Sequence, residues 1–500
     1  MSFASSRSLS VCNFRFPSLP AAIVVALAFP LIVGCGSSSS GGSNSTPSSG
    51  STMVVVLASS TGNDQISAFN TMLGSLTLTS QSGAKVTVFS TPQSAEYMHL
   101  NGSVEPLTTV SIPQDVYTAA TATLQVGGPY SYPICVGQNS AAHELLTNGS
   151  IGSYTQPPVV TVNLPAPITV TGTSMGLVLN LQVSQSVSSF DCISDTTGEA
   201  SITPTFNLTP VVIAPQPTNE TNGMATGLRG LIASVTSGGS GFTVTGADGP
   251  TWQVSTSSST VFQGISGASQ LAAGMPMDMD VAIQPDGSLL ATRVAAYDTS
   301  TTNLTLAIGP LTEVTGSPTA LNSLLVEHGG PLFAGFGSGP MAFNFGKTIF
   351  QTSGQLANVN SLPFNASFNA TNRVDGQNVF VTTHASTVSG GPTYVPASTM
   401  TLLPQTIDGT VSAISSSGNF TVYTVTLAPY DLFTNLAVQP GQPALLNNPN
   451  TIVVYADSNA QLLNTDLAVV GAVLRFRGLV FNDNGTLRMD CAEISDGVAE

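Results

Sequence analysis

Short runs of alternating apolar and polar residues fill most of the chain. Clusters of Gly, Ser, Asn and Pro break them every ~8–12 residues, the spacing of strands joined by tight turns. Lys85–Phe89, Val159–Leu164, Phe242–Thr245 and Thr451–Tyr455 are such runs, rich in Val, Thr, Ile and Phe. A period of two predicts strands with one buried face. Three stretches depart from it. Ile66, Phe69, Leu73 and Leu76 have the spacing of a short helix, although Leu76–Thr79 alternates like a strand. Ser266–Ala273 and Leu462–Val470 each predict a helical turn or two. The expectation is an all-β protein: an N-terminal β-sandwich, then two or three small β-barrel units, with few short helical turns.

The first residues read as an address. Arg7 and Arg15 precede an apolar run, Ala21–Phe29, that is too short to span a bilayer, which takes ~20 residues. Residues 1–34 are therefore expected to be a signal peptide. Ile32-Val33-Gly34-Cys35 resembles the bacterial lipobox. The resemblance implies a diacylglyceryl group on the Cys35 thiol, cleavage after Gly34, and an acyl chain such as palmitate on the new amino group. Several acyl chains anchor a protein stably where one does not. Gly36, not Asp, follows Cys35, which resembles outer-membrane sorting in Gram-negative bacteria. Residues 36–52 are nearly all Ser, Gly, Thr and Asn, so 35–52 is expected to be a lipidated, flexible tether.

Residues 53–215 form the expected sandwich. Leu100-Asn101-Gly102, Pro113–Thr118 and Ser186-Val187 resemble domain of unknown function family 4382, common in lipid-anchored bacterial proteins. That family implies a transthyretin-like or immunoglobulin-like sandwich with no settled activity. Asn180 and Gln182 stand where the family usually has Asp, and Asp115 where it has Gly. After a polar linker at 216–226, residues 227–298 run from Gly227–Val235 through Phe242-Thr243-Val244 to Asp286-Gly287 and Val294. This segment resembles domain of unknown function family 5666, a small barrel unit. The pattern returns at 404–500, opening with Asp408-Gly409 and closing around Asp483-Asn484-Gly485. Residues 305–403 read as a degenerate copy. In the barrels, Ile232, Val235, Leu290 and Val294, and Val411, Ile414, Leu487, Met489 and Cys491, are expected inward. Arg293 and Arg488 are expected in solvent.

Only 7% of residues are charged, and the net charge is −16. A chain with ten basic residues against 26 acidic ones is excluded as a nucleic-acid binder, which needs Lys and Arg against phosphates. Of the five cysteines, Cys135 and Cys192 are a possible disulfide, since export permits one and both fall in one unit. Cys491 reads as a buried small hydrophobe. His99, His143, His328 and His384 are scattered, without zinc spacing. Gly172-Thr-Ser174-Met-Gly176 fits the nucleophile-elbow pattern, but strand-like sequence on both sides makes it a turn. Asp278 and Asp280 lie on one strand face and could serve calcium, or simply meet solvent. Trp252 reads as core rather than as a sugar platform, and the Gly-rich Phe333–Phe350 stretch as a barrel edge. No catalytic residue, metal or cofactor is expected. The expected role is a non-catalytic binding or structural protein of the cell envelope, lipid-anchored at the outer membrane, with an unknown protein or glycan partner. The alternative is a carbohydrate- or peptide-binding module auxiliary to a secreted polysaccharide-processing system.

Overall fold

The computed structural model describes residues 50–62, 66–125, 132–136, 142–144, 146–147, 159–188, 199–247, 249–300, 305–312, 321–325, 340–356, 359–384, 395–429, 431–437, 446–463 and 468–496. Among them the protein is nearly all β; the α-helices are the short Val183–Ser186 and Leu432–Ala437. Cys35, Cys192, His328, Phe333 and Phe336 lie outside the described residues, as does the side chain of Cys135, whose backbone is in the strand Tyr132–Val136. Ser51 and Thr52, assigned above to the tether, already belong to the strand Ser51–Ser60.

The N-terminal body is built on a 12-stranded sheet, with Leu146–Thr147, Val187–Ser188 and Glu199–Ile202 in a separate three-stranded one. Val159–Asn163 joins the two halves of the larger sheet, pairing parallel with Thr205–Val211 and antiparallel with Val116–Leu124. One core draws Val54, Leu177 and Phe206 from one half and Phe69, Leu76 and Tyr117 from the other. The strand Ser51–Ser60 is buried on both faces. Val54, Val56 and Ala58 enter this core, while Val55 and Leu57 enter that of the following barrel. That explains its unbroken apolar run, which solvent on one face would have turned into alternation.

The helical alternative at Ile66–Leu76 is overturned: Ile66–Ser80 is one strand of 15 residues. Register shifts between Ile66 and Ala68 and between Leu73 and Ser75 each add a residue to the two-residue step. A bulge turns a spacing of two into three, so 66, 69, 73, 76 mimics a helix while every side chain faces the core. Ser266–Ala273 does contain a 3-10 turn, Ala268–Gln270. Leu462 and Leu463, in contrast, end the strand Thr451–Leu463, and its parallel pairing with Thr486–Asp496 holds them extended.

Three further bodies share one wiring. In the first, Met224–Val235 lies between Gly241–Gly246 and Pro276–Ile283, and Thr251–Ser255 closes the ring by parallel pairing with Leu289–Ala295. In the last, Gln405–Ser417, Phe420–Leu427, Thr451–Leu463, Val473–Asp483 and Thr486–Asp496 repeat those pairings in a closed barrel. The middle body follows the same order. Thr305–Thr312 is flanked by Leu321–Leu325 and Asn378–Thr383, and the parallel closure is divided between Pro340–Asn344 with Val395–Pro396 and Ile349–Thr352 with Thr399–Leu402.

The first and last barrels agree to the residue. Gly230 pairs with Gly246 and Met277; Gly409 pairs with Leu427 and Leu474. A Cβ on Gly230 would sit 2.1 Å from the Thr245 carbonyl oxygen, and one on Gly409 2.6 Å from that of Thr426, so close crossing requires glycine at both. Each opening strand then shifts register, at Ile232/Ser234 and Val411/Ala413, and each closing hairpin does so at Asp280/Val281 and Arg477/Gly478. The turns take positive φ at Gly287 and at Asn484 and Gly485, as the hairpin reading requires.

These bulges correct the inward faces. Thr292 is the extra residue of its hairpin, so Leu289 and Ala291, not Leu290, join Val294 in the core. Leu487, Met489 and Cys491 are inward. Ile414 is exposed, because its strand runs beyond the barrel past the bulge, and Val235 is only partly buried.

Candidate functional site

The outer faces of the first and last barrels each carry a quartet of charges, and the register puts these in equivalent places. In the first barrel Arg229 stands opposite Asp278, and Asp280 opposite Arg293. In the last, Asp408 stands opposite Arg475, and Arg477 opposite Glu493. Every sign is reversed.

The first quartet is closed on itself. Arg229 Nε donates to Asp278 Oδ2 at 3.1 Å, Arg293 Nη2 donates to Asp278 Oδ1, and Arg293 Nε donates to Asp280 Oδ2 at 2.6 Å. Gln355 Nε2 at 3.0 Å and the Gly227 amide at 2.8 Å donate to Asp280 Oδ1. Burial alone would raise the Asp278 carboxyl; the Arg293 and Arg229 charges outweigh it and hold it below the usual range. Burial likewise disfavours the Arg293 charge, and Asp278 and Asp280 overcome it. The expectation of a solvated Arg293 is thus wrong. Its strand face is outer with respect to the barrel, but Tyr297 and Gln355 of the adjoining segments cover it. The oxygens of Asp278 and Asp280 accept from Arg229, Arg293, Gln355 and the Gly227 amide. Among the described residues no group of three or more His, Cys, Asp or Glu could hold a metal ion.

The last quartet opens outward. Arg475 donates from Nε to the Asp496 carbonyl and from Nη1 to Asn101 Oδ1 of the N-terminal body, both at 2.9 Å. The Asp408 amide donates to Asp431 Oδ2 at 3.1 Å. Burial, and then the Asp408 charge, push the Asp431 carboxyl up to about 8. Burial raises Glu493 against the opposing pull of Arg477 and Arg475. Glu220, from the 3-10 turn Glu220–Asn222, is pushed up to about 8 by burial and then by Glu493. It also feels Arg477 and Asp280, so it lies between the two quartets.

Two openings flank this centre. A cavity of 90 Å³ is lined by His99, Arg229, Asp431 and Arg477. The His99 ring bridges Glu96, at 3.1 Å from Nδ1, and Glu105, at 3.3 Å from Nε2. Burial would lower its pKa, but the bonds to Glu105 and Glu96 prevail and raise it to about 10. A larger cleft of 440 Å³ lies between the N-terminal body and the last barrel, with Ser59, Asn180, Glu220, Arg475 and Glu493 in its wall.

The other sequence candidates fall elsewhere. Trp252 is core, its Nε1 donating to the Pro106 carbonyl at 2.9 Å. Ser174 opens the strand Ser174–Leu181 after a turn at Gly172. Phe343 and Phe345 are buried, the latter beneath the Arg373 guanidinium at 5.0 Å. His384 meets Asp298 at 2.9 Å, and His143 is in the strand Ala142–Glu144. Arg488 is only partly in solvent. It donates to Asp483 Oδ2 at 2.8 Å and to the Tyr455 hydroxyl, and lies over the Phe364 and Tyr455 rings. Cys491 is buried, and burial pushes its thiol pKa up. Sequence reasoning missed the two quartets and Glu220. The signal was present: Arg229-Gly230 against Asp408-Gly409, and Asp278-Met-Asp280 against Arg475-Phe-Arg477.

Residues 229–295 match the family described as Domain of unknown function (DUF5666). The match covers the first barrel's charged quartet and the bulges at Ile232/Ser234 and Asp280/Val281. No curated protein matches the chain. Among solved structures, "drosophila Unr CSD456" is similar over 55% of this chain and 99% of that one, at 10% identity and a TM-score of 0.12, too low to bear on the fold.

Proposed function

We propose that this chain is a lipid-anchored protein of the bacterial cell envelope with a binding or structural role and no catalysis of its own. The observation that carries the reading is Ile32-Val33-Gly34-Cys35 followed by a Ser- and Gly-rich stretch that ends where the strand Ser51–Ser60 begins. Lipid on Cys35 would hold that body at the outer membrane through a short polar tether. The resemblance of residues 53–215 to family 4382 agrees with this placement. So does the use of the acid–base groups, since Asp278 is held between two arginines and His99 between two glutamates. Mass spectrometry of the mature N-terminus tests it. A diacylglyceryl-modified, N-acylated Cys35 is expected, and an unmodified N-terminus elsewhere would overturn the anchor. The 440 Å³ cleft favours a second reading within the same class, a carbohydrate-binding module of the envelope.

A further inference from the structure

The cleft has the size range and the setting of a ligand site: 440 Å³ at a junction between folded bodies, with a few convergent polar groups. Its wall has two characters. Val178, Val211 and Val212 form an apolar side, with Val212 72% exposed. The rest of the lining includes hydroxyl, amide, carboxyl and guanidinium groups.

Glu220 is more than nine-tenths buried, yet it lines the cleft. Its Oε1 accepts from the Thr226 hydroxyl at 2.6 Å, and the structure gives Oε2 no donor. Oε2 opens on the cleft, where a ligand hydroxyl would replace solvent as its partner. Beside it stands the last barrel's quartet. In the first barrel Asp278, Asp280 and Arg293 pair within their quartet, whereas Arg475 and Glu493 face the cleft.

We propose that the cleft bounded by Ser59, Asn180, Glu220, Arg475 and Glu493 binds a neutral, hydroxyl-rich ligand of the oligosaccharide class. It rests on the binding half of the reading above and not on the lipid anchor. Glu493 stands with Arg475 and the nearby Arg477, so the cleft offers nothing to a cation, and the hydroxyl and amide groups of Ser59 and Asn180 suit a neutral hydroxyl-rich ligand. Glu220, with its pKa near 8, is largely protonated at neutral pH and can both donate and accept, as vicinal hydroxyls require. The valines supply an apolar face for the carbon side of a sugar ring.

The test uses the full processed chain, purified in a detergent without a sugar headgroup, and isothermal titration calorimetry. The probes are maltotetraose, cellotetraose and triacetylchitotriose, with spermidine, calcium chloride and sodium phosphate as charged alternatives. One saccharide is expected to bind. Glu493→Ala and Asn180→Ala should each weaken it about tenfold, the worth of a hydrogen bond to a polar or charged group, with an unchanged melting temperature. Hydrogen exchange on the unmutated protein should show saccharide protection at 59–60 and 220–221, which keeps the test independent of the variants' folding. No saccharide binding at millimolar concentration overturns the proposal. Binding of spermidine, calcium or phosphate instead of a saccharide overturns it, as does saccharide binding that leaves those segments unprotected. Each of these results leaves the lipid on Cys35, read by mass spectrometry, untouched.

Discussion

The first and last barrels share strand order, two bulges, a close-packed glycine and the placement of four charges, but every charge has the opposite sign. What is common is what the backbone requires. Glycine at 230 and 409 permits the close crossing, and the bulges bend the strands so that the ring closes. What differs is what the outer face meets. Arg229, Asp278, Asp280 and Arg293 neutralise one another under the cover of the neighbouring segments. Arg475, Arg477 and Glu493 turn to Asn101, Glu220 and a cleft. The middle body teaches the same lesson from another side. Aligned at Gly309, it places Ile308 opposite Phe380, both fully buried, where its neighbours pair Arg with Asp. The wiring therefore tolerates either sign or none, provided that the two cross-strand residues suit each other.

The largest expected effect follows from removing one member of the closed quartet. Arg293→Ala leaves Asp278 and Asp280 buried with half their neutralising charge and should cost about 3–5 kcal/mol in denaturant unfolding. Arg293→Ala within about 0.5 kcal/mol of the parent, an ordinary surface effect, would mean the quartet does not hold the barrel together.

The two barrels should also respond oppositely to pH. Asp278 is depressed when folded, so its contribution is present above its unfolded pKa and is lost on acidification through the folded one. Asp431 and Glu220 are raised to about 8, so ionising them costs stability progressively as pH climbs from their unfolded values through 8. His99, raised from 6.5 to about 10, stabilises fully below 6.5 and loses that contribution as pH rises through 10. Hydrogen exchange across pH should find acid loosening Pro276–Ile283 first and alkali loosening Gln405–Ser417 and the His99 segment first. The reverse order would contradict the assignment.

Smaller effects sharpen the boundary between the bodies. Arg488→Ala loses an ion pair and two ring contacts and should cost about 1 kcal/mol in thermal unfolding. Trp252→Phe, which removes the bond to the Pro106 carbonyl, should cost a similar ~1 kcal/mol and loosen the first barrel against the N-terminal body.

Much of the β architecture was legible because alternation and turn chemistry are local. Asp286-Gly287 and Asn484-Gly485 announce their hairpins without reference to the rest of the chain. The helical spacing at Ile66–Leu76 misled because bulges are invisible until a partner strand is paired. Arg293 and Arg488 were misplaced for a related reason. Alternation tells which face is outside a barrel, but not that another body covers that face. The charged centre was legible only by laying one repeat on the other, where the reversed signs stand at matching register positions beside Gly230 and Gly409.

A pair of double-mutant cycles tests the central contrast most directly, one on Arg229 and Asp278 and one on Asp408 and Arg475, each residue replaced by Ala and stability read by denaturant unfolding. A quartet closed on itself in the first barrel predicts a coupling of about 2 kcal/mol or more for Arg229 with Asp278. A quartet turned outward in the last predicts about 0.5 kcal/mol or less for Asp408 with Arg475, whose guanidinium is held by Asn101 and the Asp496 carbonyl. Equal couplings, or the larger one in the last barrel, would contradict the account.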